Sequence, residues 1–345
     1  MFTNKRILVT GGTGSLGSVL VRRILTGEEG APAKVVVFSR DEAKQHDMRL
    51  AFASVSTATD EIIYANFQRL LQFQIGDVRD YAAVSAAVQD SDIVVNAAAL
   101  KQVPTCEYFP IEAVKTNIEG PQNIVRAVRE SGTVIETVVG VSTDKACKPI
   151  NVMGMTKALQ ERVFLAANVS CRWTRFICVR YGNVLASRGS VIPLFLHQIE
   201  KGGPVTITDE RMTRFLLSLD TAVDTIFAAI RGGRRGETYV PRVSSARVSD
   251  VARALIGSAP IEIKITGIRP GEKLHEVLVS QEESARSIMR DQYYVIQPIL
   301  PELCTDFQVG GIHDEYSSHA DNLSLDQLSD LLSRNGLRAR ALAMA

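Results

Sequence analysis

Residues 142–157 read STDKACKPINVMGMTK and contain side chains that can exchange protons. Asp144 and Lys145 are an adjacent acid and amine. Lys157 lies four residues after Met153, on the same face of a predicted helix. Methionine can neither donate nor accept a proton, so we expect Met153 to pack in the core. The segment therefore leaves two interpretations: a disabled oxidoreductase, or an enzyme whose acid–base chemistry is carried by Asp144 and Lys145.

The pKa values of these two groups must move if both are to work near neutral pH. Burial or nearby cations would lower the pKa of Lys145, and loss of solvent would raise that of Asp144. Contact between the two groups would oppose both shifts, so we expect their side chains to diverge. An ordinary salt bridge is the alternative interpretation.

A glycine-rich segment near the N-terminus, LVTGGTGSLGSVL, lies between a predicted strand at 6–10 and a predicted helix at 18–25. Gly11 suits a tight turn, Gly14 lets the backbone approach a pyrophosphate, and Gly17 lets the helix pack closely on the sheet. The phosphates would then lie at the positive end of the helix. This context predicts a dinucleotide site, with a simple tight turn as the alternative.

The end of the second strand, FSRDEAK, indicates which dinucleotide binds. Ser39 and Arg40 occupy the place where an acid would hold the ribose 2′-hydroxyl of NAD, and Lys44 follows one turn later. Cations and hydroxyls suit a 2′-phosphate, so the pattern favours NADP. Arg40 could instead be a solvated surface charge. Asp77 and Val78 in GDVRD would lie beside the adenine, or simply form a strand end and a helix cap.

Strands and helices alternate along the first half of the chain, which predicts a parallel sheet with helices on both faces. The fold class is therefore α/β, with a Rossmann-type doubly wound sheet whose loops meet at one edge. The predicted strands are 6–10, 34–40, 72–80, 92–100, 135–143 and 174–184, and the predicted helices are 18–25, 81–88, 112–130 and 156–168.

The pattern changes after about residue 185, where Gly and Pro become frequent and the elements become short. We expect a dinucleotide-binding domain over 1–185, to which some later segments return. A smaller lobe over 186–300 would cap the edge of the sheet, and an arm with a terminal helix would span 301–345. Ser324 is the predicted N-cap of that helix and Gly336 its predicted end.

The composition excludes several classes of protein. The 345 residues include 39 Lys and Arg against 38 Asp and Glu, which removes a bulk electrostatic argument for binding nucleic acid or an anionic membrane. Five scattered cysteines without C-x-x-C spacing indicate neither a disulfide framework nor a zinc site, and the histidines have no metal-ligand spacing. No apolar run approaches the roughly 20 residues of a membrane span, so we expect a cytoplasmic protein without a metal.

Seven segments together resemble the UDP-N-acetylglucosamine 4,6-dehydratases, which are extended short-chain dehydrogenases of bacterial surface-sugar pathways. The segments are TGGTGSLG, GDVRD, AALKQVPTCEYFPIEAVKTNIEG, STDKACKPINVMGMTK, RYGNVLASRGSVIPLF, TITDERMTRF and RPGEKLHE, which span roughly residues 5–280. The chain is most similar to the soluble, C5-inverting enzymes of capsule and O-antigen assembly. Short-chain dehydrogenases have a tyrosine four residues before the lysine, where this chain has Met153, and the membrane-anchored, C5-retaining relatives can also carry methionine there.

This resemblance implies a reaction and a role for each group. A hydride leaves C4 for NADP, water is eliminated across C5 and C6, and the hydride returns to C6. The family pattern makes Asp144 the acid for the 6-hydroxyl and Lys145 the base for the C5 proton. Lys157 would hold the nicotinamide ribose and favour an alkoxide at O4, and Thr143 would bind a sugar hydroxyl. The group that takes the C4 hydroxyl proton stays open among Thr143, Asp144, Lys157 and water.

The resemblance also implies which residues contact each ligand. The uridine diphosphate would be held by the smaller lobe, with Glu272 on ribose hydroxyls. A buried structural thiol is the default interpretation of Cys106, and a solvated lysine is the alternative for Lys101. The expected cofactor contacts are Gly11, Thr13, Gly14, Ser15, Leu16, Gly17, Ser39, Arg40, Lys44, Asp77, Val78, Ala97, Ala98, Lys101, Ser142, Lys157, Tyr181 and Asn183. The expected UDP-N-acetylglucosamine contacts are Lys101, Cys106, Thr143, Asn183, Arg188, Ser190, Thr206, Met212, Arg214, Arg269 and Glu272.

Three other functions are alternatives to the inverting dehydratase. A C5-retaining dehydratase differs only in the face from which C5 is reprotonated. A nucleotide-sugar 4-epimerase would need a phenolic or equivalent base at Met153 and has no use for Asp144 and Lys145. A non-catalytic NADP or nucleotide-sugar sensor would explain the missing tyrosine but not the retained Lys157. The resemblance further implies a homo-oligomer, either a hexamer or a dimer, in which the C-terminal arm could reach a neighbouring subunit.

Overall fold

The computed structural model of the chain describes residues 1–53, 58–185, 190–304, 308 and 311–337, and its centre is a large twisted sheet. The strands are β1 Arg6–Thr10, β2 Lys34–Ser39, β3 Leu71–Ile75, β4 Ile93–Asn96, β5 Thr137–Thr143, β6 Arg175–Tyr181, β7 Asn183–Val184, β8 Val205–Ile207, β9 Thr213–Leu217, β10 Thr238–Pro241, β11 Ser245–Arg247, β12 Ile263–Ile265, β13 Val277–Val279, β14 Ser287–Arg290, β15 Tyr293–Ile296 and β16 Tyr316–Ser317.

The order of strands in the central sheet is β14-β15-β10-β6-β5-β4-β1-β2-β3. All pairs from β3 to β10 are parallel, whereas β15 and β14 join antiparallel at the edge. The direction of winding reverses between β1 and β4, and at such a point a crevice opens beyond the carboxyl ends of the strands. The predicted α/β, doubly wound parallel sheet is therefore confirmed.

Helices cover both faces of this sheet. They are α1 Ser15–Thr26, α2 Glu42–Ala53, α3 Ala58–Leu70, α4 Tyr81–Gln89, α5 Val103–Tyr108, α6 Pro110–Val114, α7 Gly120–Glu130, α8 Val152–Ser170, α9 Val191–Glu200, α10 Leu219–Gly232, α11 Val248–Ile256, α12 Gln281–Ser284 and α13 Leu325–Arg334, with 3₁₀ turns at Asp144–Ala146 and Pro301–Leu303.

Two apolar layers hold these helices to the sheet. On one face Leu20 and Ile24 of α1 pack with Ile226 of α10 against the strands. On the other face Ile124 of α7 and Phe164 of α8 pack against the opposite side of the same strands. Strands that are buried on both faces explain the nearly continuous apolar runs of the sequence.

Three predicted strands end earlier than the apolar pattern suggested. β3 ends at Ile75 rather than residue 80, because its ladder partner β2 ends at Ser39, the residue that pairs with Ile75. β4 ends at Asn96, and β6 ends at Tyr181. The two residues after Gly182 pair with β9 in a separate three-stranded sheet, which turns the chain toward the second lobe.

The helix predicted over 112–130 is interrupted by a π-helical turn, Lys115–Glu119. Asn117 in this turn donates to Leu100 O at 2.9 Å, accepts from Leu100 N at 2.8 Å and donates to Thr156 Oγ1 at 3.0 Å. The extra residue of a π turn aims one side chain away from its helical position, and such turns occur often at functional sites. Here it ties the loop after β4 to α8.

The apolar pattern did not predict α2 and α3.

A second lobe has its own core of apolar side chains, including Phe195, Ile207 and Val251. Yet β10, β14 and β15 follow residue 185 and complete the central sheet, so the chain crosses between the two lobes several times. This lobe therefore lies over the carboxyl edge of the sheet, where the strands of the first half end.

The terminal helix α13 begins with a capping box at Ser324 and ends before Gly336, as predicted. Leu328 and Leu332 are buried in the core of the second lobe, against α11. The apolar face of this helix is therefore covered by its own lobe, and the expectation that the arm reaches a neighbouring subunit stays a prediction. Within the described residues, no helix combines the length and apolar character that a membrane span needs.

A substitution in the glycine loop tests how closely α1 must pack. A Cβ on Gly17 would lie 2.5 Å from Gly12 Cα, and both groups belong to backbone that cannot move freely. We expect Gly17→Ala to lower the free energy of unfolding by about 1–3 kcal/mol, as overpacked sites do. Urea unfolding at pH 7 measures this. Gly132→Ala is the control, because Gly132 has no neighbour within 4 Å of an added Cβ. Equal stability of the two variants would contradict the need for close packing.

Candidate active site

A cavity of about 1150 Å³ opens at the carboxyl edge of the central sheet, under the second lobe. Cavities for one small ligand are about 300–1,000 Å³, so the space suits two ligands side by side. Its wall brings together most of the predicted site residues. These are Gly11, Thr13, Gly14, Ser15, Leu16, Gly17, Ser39, Arg40, Lys44, Asp77, Val78, Ala97, Ala98, Lys101, Ser142, Thr143, Lys145, Met153, Lys157, Tyr181, Asn183, Ser190, Thr206, Met212, Arg214, Arg269 and Glu272.

The glycine loop has the backbone that a dinucleotide requires. Gly11 has φ +66°, and a Cβ there would lie 2.7 Å from Ala98 N. Gly14 is the N-cap of α1, makes no side-chain cap and leaves the first amides of the helix directed to the cavity, with no acid in the first turn. A phosphate accepts hydrogen bonds from such amides and is favoured by the helix dipole. The loop therefore fits the pyrophosphate of a dinucleotide.

Cations stand at the end of β2, but each has an acidic neighbour. The side chain of Arg40 is 57% exposed and lies 3.5 Å from Asp77, while Lys44 pairs with Asp41 at 2.6 Å. Ser39 Oγ lies 3.0 Å from Thr13 Oγ1 and is almost buried. The exposed Arg40 is thus free to turn to a ligand without leaving a buried charge unpaired.

Lys145 is the centre of the proton-exchanging groups. Its Nζ lies 3.1 Å from Asp144 Oδ1 and 3.2 Å from Glu276 Oε1. Burial disfavours the ammonium, but the two carboxylates outweigh burial and raise the pKa of Lys145. The prediction that Asp144 and Lys145 diverge, with a lowered pKa for the lysine, is therefore wrong. The salt-bridge alternative describes the geometry, because a buried amine between two carboxylates is most stable when it is charged.

Asp144 lies behind Lys145 rather than on the cavity wall. Its side chain is fully buried, and Oδ2 has no hydrogen-bond partner in the described part of the chain. Burial raises the pKa of Asp144 in spite of the nearby Lys145, in the direction expected from the sequence. Thr143 Oγ1, on the wall, donates to Asp144 Oδ1 at 2.8 Å. The threonine hydroxyl therefore connects the buried acid to the cavity.

Glu276 is a site residue that sequence reasoning did not single out. It precedes β13, is 2% exposed and lines the cavity beside Lys145. Burial works against its ionisation, but Lys145 together with Arg214 and Lys273 lowers the pKa of Glu276. The only signal in the sequence is a glutamate in RPGEKLHE, and nothing local distinguishes it from Glu272 in the same segment.

Lys157 and Met153 project from α8 toward the same cavity. Lys157 Nζ donates to Val141 O at 2.6 Å and to Gln160 Oε1 at 2.5 Å, and burial lowers the pKa of Lys157 to about 8. Met153 packs in a small apolar cluster with Cys106, which agrees with the expectation that its side chain packs in the core. Cys106 is fully buried behind the wall, and burial raises the pKa of its thiol to about 11. The thiol is therefore not on the cavity surface, contrary to the expected sugar contact.

The second lobe supplies the remaining wall. Arg214 donates to the carbonyls of Thr213 and Lys273 and to Met212 Sδ, so its guanidinium is held at the wall by its own lobe. Thr206 Oγ1 accepts from Gln198, and the buried Ser190 Oγ has no hydrogen-bond partner among the described residues. Arg269 and Glu272 lie at the rim, and the predicted contact Arg188 lies outside the described residues.

A buried ion network supports the strands behind the site. Arg180 pairs with Glu161 at 2.6 Å and with Glu283 at 2.7 Å, and all three are almost without solvent contact. Ser142 donates to Glu161 Oε1 at 2.5 Å, which joins the network to the cavity wall. Two carboxylates and a hydroxyl compensate the buried guanidinium, which would otherwise be costly to bury.

Comparison with known proteins defines the family of the chain. The family model described as "Polysaccharide biosynthesis protein" matches residues 7–298, which include the glycine loop and every group of the Lys145 cluster. The chain belongs to this family. A solved structure with the same fold is Pen from Bacillus thuringiensis, with a TM-score of 0.86, 32% identity, and coverage of 98% of this chain and 99% of that one.

The related proteins carry two different names. A Campylobacter jejuni protein named UDP-N-acetylglucosamine 4,6-dehydratase (inverting) is 40% identical over 94% of this chain and 92% of its own length. A Rickettsia bellii protein named UDP-glucose 4-epimerase is 41% identical over 96% of both chains. The chain is almost equally identical to the two relatives, so sequence identity does not decide between the two activities. The chemistry of the site has to decide between them.

The buried ion network predicts an acid-sensitive fold. Although burial opposes it, Arg180 lowers the pKa of Glu283 to about 2, from an ordinary 4.5. A carboxyl whose pKa is lower in the folded state stabilises the fold above its unfolded pKa, and this stability is lost as the pH falls from about 4.5 to 2. We expect Glu283→Gln to lower the free energy of unfolding at pH 7 by about 3 kcal/mol, measured by urea unfolding.

The same variant should lose less further stability than the wild type between about pH 5 and pH 3. Glu262→Gln is the matched control, because Glu262 is exposed on the second lobe. Identical acid sensitivity in Glu283→Gln and the wild type would show that this pair does not carry the effect.

Proposed function

We propose that the chain is a hydro-lyase that converts UDP-N-acetylglucosamine to a UDP-linked 4-keto-6-deoxy sugar with inversion at C5, using NADP. The observation that carries this proposal is a buried acid, Asp144, in contact with an amine, Lys145, at the wall of the cavity that holds the glycine loop. Oxidation and reduction at carbon need only the nicotinamide, but elimination of water also needs a separate acid and base. The name of the Campylobacter jejuni relative agrees with this chemistry.

When bound, the dinucleotide would supply a hydride acceptor for C4 and a hydride donor for C6. The chain would hold its phosphates on the amides after Gly14, and Lys157 would approach the nicotinamide ribose. A pKa of about 8 leaves Lys157 mostly charged at pH 7, so its charge would stabilise an alkoxide at O4. Because Met153 cannot exchange a proton, the C4 hydroxyl proton would leave through Thr143 or water.

Elimination would use the Lys145 cluster. A 4-ketone acidifies the C5 proton, which Lys145 would remove from the sugar once its own ammonium proton has moved to Asp144, 3.1 Å away. Asp144 would give its proton to the departing 6-hydroxyl, and Thr143 would pass it on because its hydroxyl lies between Asp144 and the cavity. The raised pKa of Asp144 suits this role, because it favours the protonated carboxyl that the leaving group needs.

A nucleotide-sugar 4-epimerase is the second candidate, because the Rickettsia bellii relative carries that name. An epimerase takes a hydride from C4 and returns it to C4, with one group that exchanges the O4 proton. It has no step at C5 or C6, so the buried acid and amine would have no task. A phenolic base is also missing at Met153. These two features favour the dehydratase.

The product formed in heavy water tests the function. We expect purified protein incubated with NADP and UDP-N-acetylglucosamine in D₂O to yield a 4-keto-6-deoxy sugar with deuterium at C5, because C5 is reprotonated from solvent. Mass spectrometry measures the deuterium, and NMR coupling constants assign the C5 configuration. A product made in water and then moved to D₂O without enzyme controls for spontaneous exchange.

The other outcomes separate the alternatives. A C4 epimer without carbon-bound deuterium, from this substrate or from UDP-glucose, would identify an epimerase. A deuterated product of unchanged C5 configuration would identify a retaining dehydratase. Tight NADP binding without any turnover would favour a sensor.

NADP is proposed over NAD because Ser39, Arg40 and Lys44 line the cavity at the end of β2. A charged hydrogen bond to a 2′-phosphate is worth about 1.5–3 kcal/mol. We therefore expect Arg40→Asp to weaken NADP binding by about 10–100-fold and to leave NAD binding unchanged or better, measured by calorimetry. Arg269→Ala, at the rim on the second lobe, is the control. Equal loss for both dinucleotides would mean that Arg40 does not read the 2′-phosphate.

A cytoplasmic homo-oligomer that serves capsule or O-antigen synthesis completes the proposal. The family description supports a role in polysaccharide synthesis. A nucleotide sugar and NADP are both cytoplasmic metabolites. A subunit contact through the C-terminal helix would have to use the face of α13 that does not pack in the second lobe.

A further inference from the structure

Arg79 is an arginine beside the dinucleotide site to which the proposed function gives no task. It belongs to the segment GDVRD and follows Asp77 by two residues. Asp77 and Arg40 form part of the cavity wall, and Arg79 is not among the described residues that line it. Any influence of Arg79 on a bound dinucleotide therefore passes through a residue that it contacts.

The main contact of Arg79 is with Asp77, through three donors. Its Nε and Nη2 both donate to Asp77 Oδ2, at 2.9 and 2.7 Å, and its backbone N donates to Oδ1 at 3.0 Å. Side-chain hydrogen bonds of this length between two ionised groups belong to the strong class. The remaining nitrogen, Nη1, donates to Glu112 Oε2 at 2.6 Å. Two carboxylates thus fix the guanidinium of Arg79 beside Asp77.

Arg40 approaches the same carboxylate oxygen much more weakly. Its Nη1 lies 3.5 Å from Asp77 Oδ2, at the limit of a hydrogen bond. A carboxylate oxygen has about two lone-pair sites, and the two N–H groups of Arg79 occupy both sites on Oδ2. The side chain of Arg40 is also 57% exposed, so water screens its attraction to Asp77. Arg40 is therefore held loosely, because Arg79 already fills the place on Asp77.

Positive and negative side chains alternate along this row, which comprises Arg40, Asp77, Arg79 and Glu112. Burial opposes the ionisation of Asp77, but the hydrogen bonds and the charge of Arg79 lower the pKa of Asp77, and Arg40 contributes less. Asp77 is therefore a carboxylate whose charge is neutralised mainly by Arg79. Without Arg79, this charge would be directed at Arg40 alone.

We infer that Arg79 is a positioning residue for the choice of dinucleotide: by holding Asp77, it leaves Arg40 free to bind the 2′-phosphate of NADP. This inference rests on the proposed use of NADP. An unpaired Asp77 would compete with the phosphate for Arg40, because both are anions. When Arg40 turns to the phosphate, Asp77 keeps its pair with Arg79, so no partly buried carboxylate is left alone. NAD has no 2′-phosphate, so its binding does not require Arg40.

Arg79→Gln tests this inference through dinucleotide binding, measured by calorimetry at pH 7 in about 0.15 M salt. We expect the dissociation constant for NADP to rise about 3–10-fold and that for NAD to change by less than about twofold, because only NADP has to draw Arg40 away from Asp77. An equal rise for both dinucleotides would mean that Arg79 only supports the loop, and would overturn the inference.

Arg126→Gln is the matched control for the loss of one positive charge. Arg126 is an exposed arginine that pairs with Glu130 on α7, as Arg79 pairs with Asp77, but at a distance from the cavity wall. The affinities of this variant for NADP and NAD should both stay within about twofold of the wild type. A loss of NADP affinity equal to that of Arg79→Gln would assign the effect to net charge and overturn the inference.

A second substitution separates an effect through Asp77 from a direct effect of Arg79. Asp77 is expected beside the adenine, which both dinucleotides carry, so the ratio of the two dissociation constants is compared. In the Asp77→Asn background Arg40 has no competing anion there, and Arg79→Gln should change this ratio by less than about twofold. The same 3–10-fold shift in both backgrounds would mean that Arg79 acts on the phosphate by its own charge, which would overturn the inference.

The wild type distinguishes this inference from the proposal on which it rests. If the wild type binds NAD as tightly as NADP, the proposed cofactor is wrong. If the wild type prefers NADP and Arg79→Gln keeps the same preference, only the role of Arg79 is wrong. Retained NAD binding shows in the same experiment that each variant is folded.

Discussion

A lysine ammonium between two buried carboxylates is the interaction around which the site is built. Charges removed from water are tolerated only when they are paired and hydrogen-bonded. Lys145 meets this condition with Asp144 on one side and Glu276 on the other. The backbone of Lys145 is also tightly packed, because a Cβ added to Gly154 would lie 2.2 Å from Lys145 O. The 3₁₀ turn that carries the acid and the amine is therefore packed directly on the first turn of α8.

The cluster joins the two lobes of the molecule. Asp144 and Lys145 follow β5 of the central sheet, whereas Glu276 and Arg214 belong to segments that cover its carboxyl edge. Opening this contact would leave unpaired charge in a dry site, so electrostatics favours the closed arrangement. Behind it, the Arg180 network fixes β6 to α8 and α12, which keeps the wall in place. Stability and reactivity thus depend on the same kind of buried pairing.

The two names carried by the relatives reflect a shared first step. Dehydratases and epimerases of nucleotide sugars both begin by oxidising C4, so one kind of dinucleotide site can serve both reactions. Fold alone does not determine which reaction follows. The difference has to come from groups that act after this step; in the proposed function these belong to the cluster of a buried acid with a raised pKa, an amine and a second carboxylate.

The sequence by itself determined the fold class, the dinucleotide loop and the segment that carries Asp144, Lys145 and Lys157. These follow from local patterns, because a buried parallel strand is a short apolar run and a phosphate loop needs its glycines at fixed spacing. Strand ends were less accurate, because a strand stops where its hydrogen-bonded partner stops, as β3 does at Ile75 opposite Ser39, and the partner is distant in the sequence.

Only the tertiary structure decided that the pKa of Lys145 is raised and that Glu276 lies beside it. A pKa depends on the distance to other charges and on burial, and both are set by residues more than a hundred positions apart in the chain. Cys106 illustrates the same limit, because its loop is close to the site while its thiol points into the core. Local spacing can identify which groups are able to exchange protons, but the three-dimensional arrangement of their partners determines which of them hold a proton.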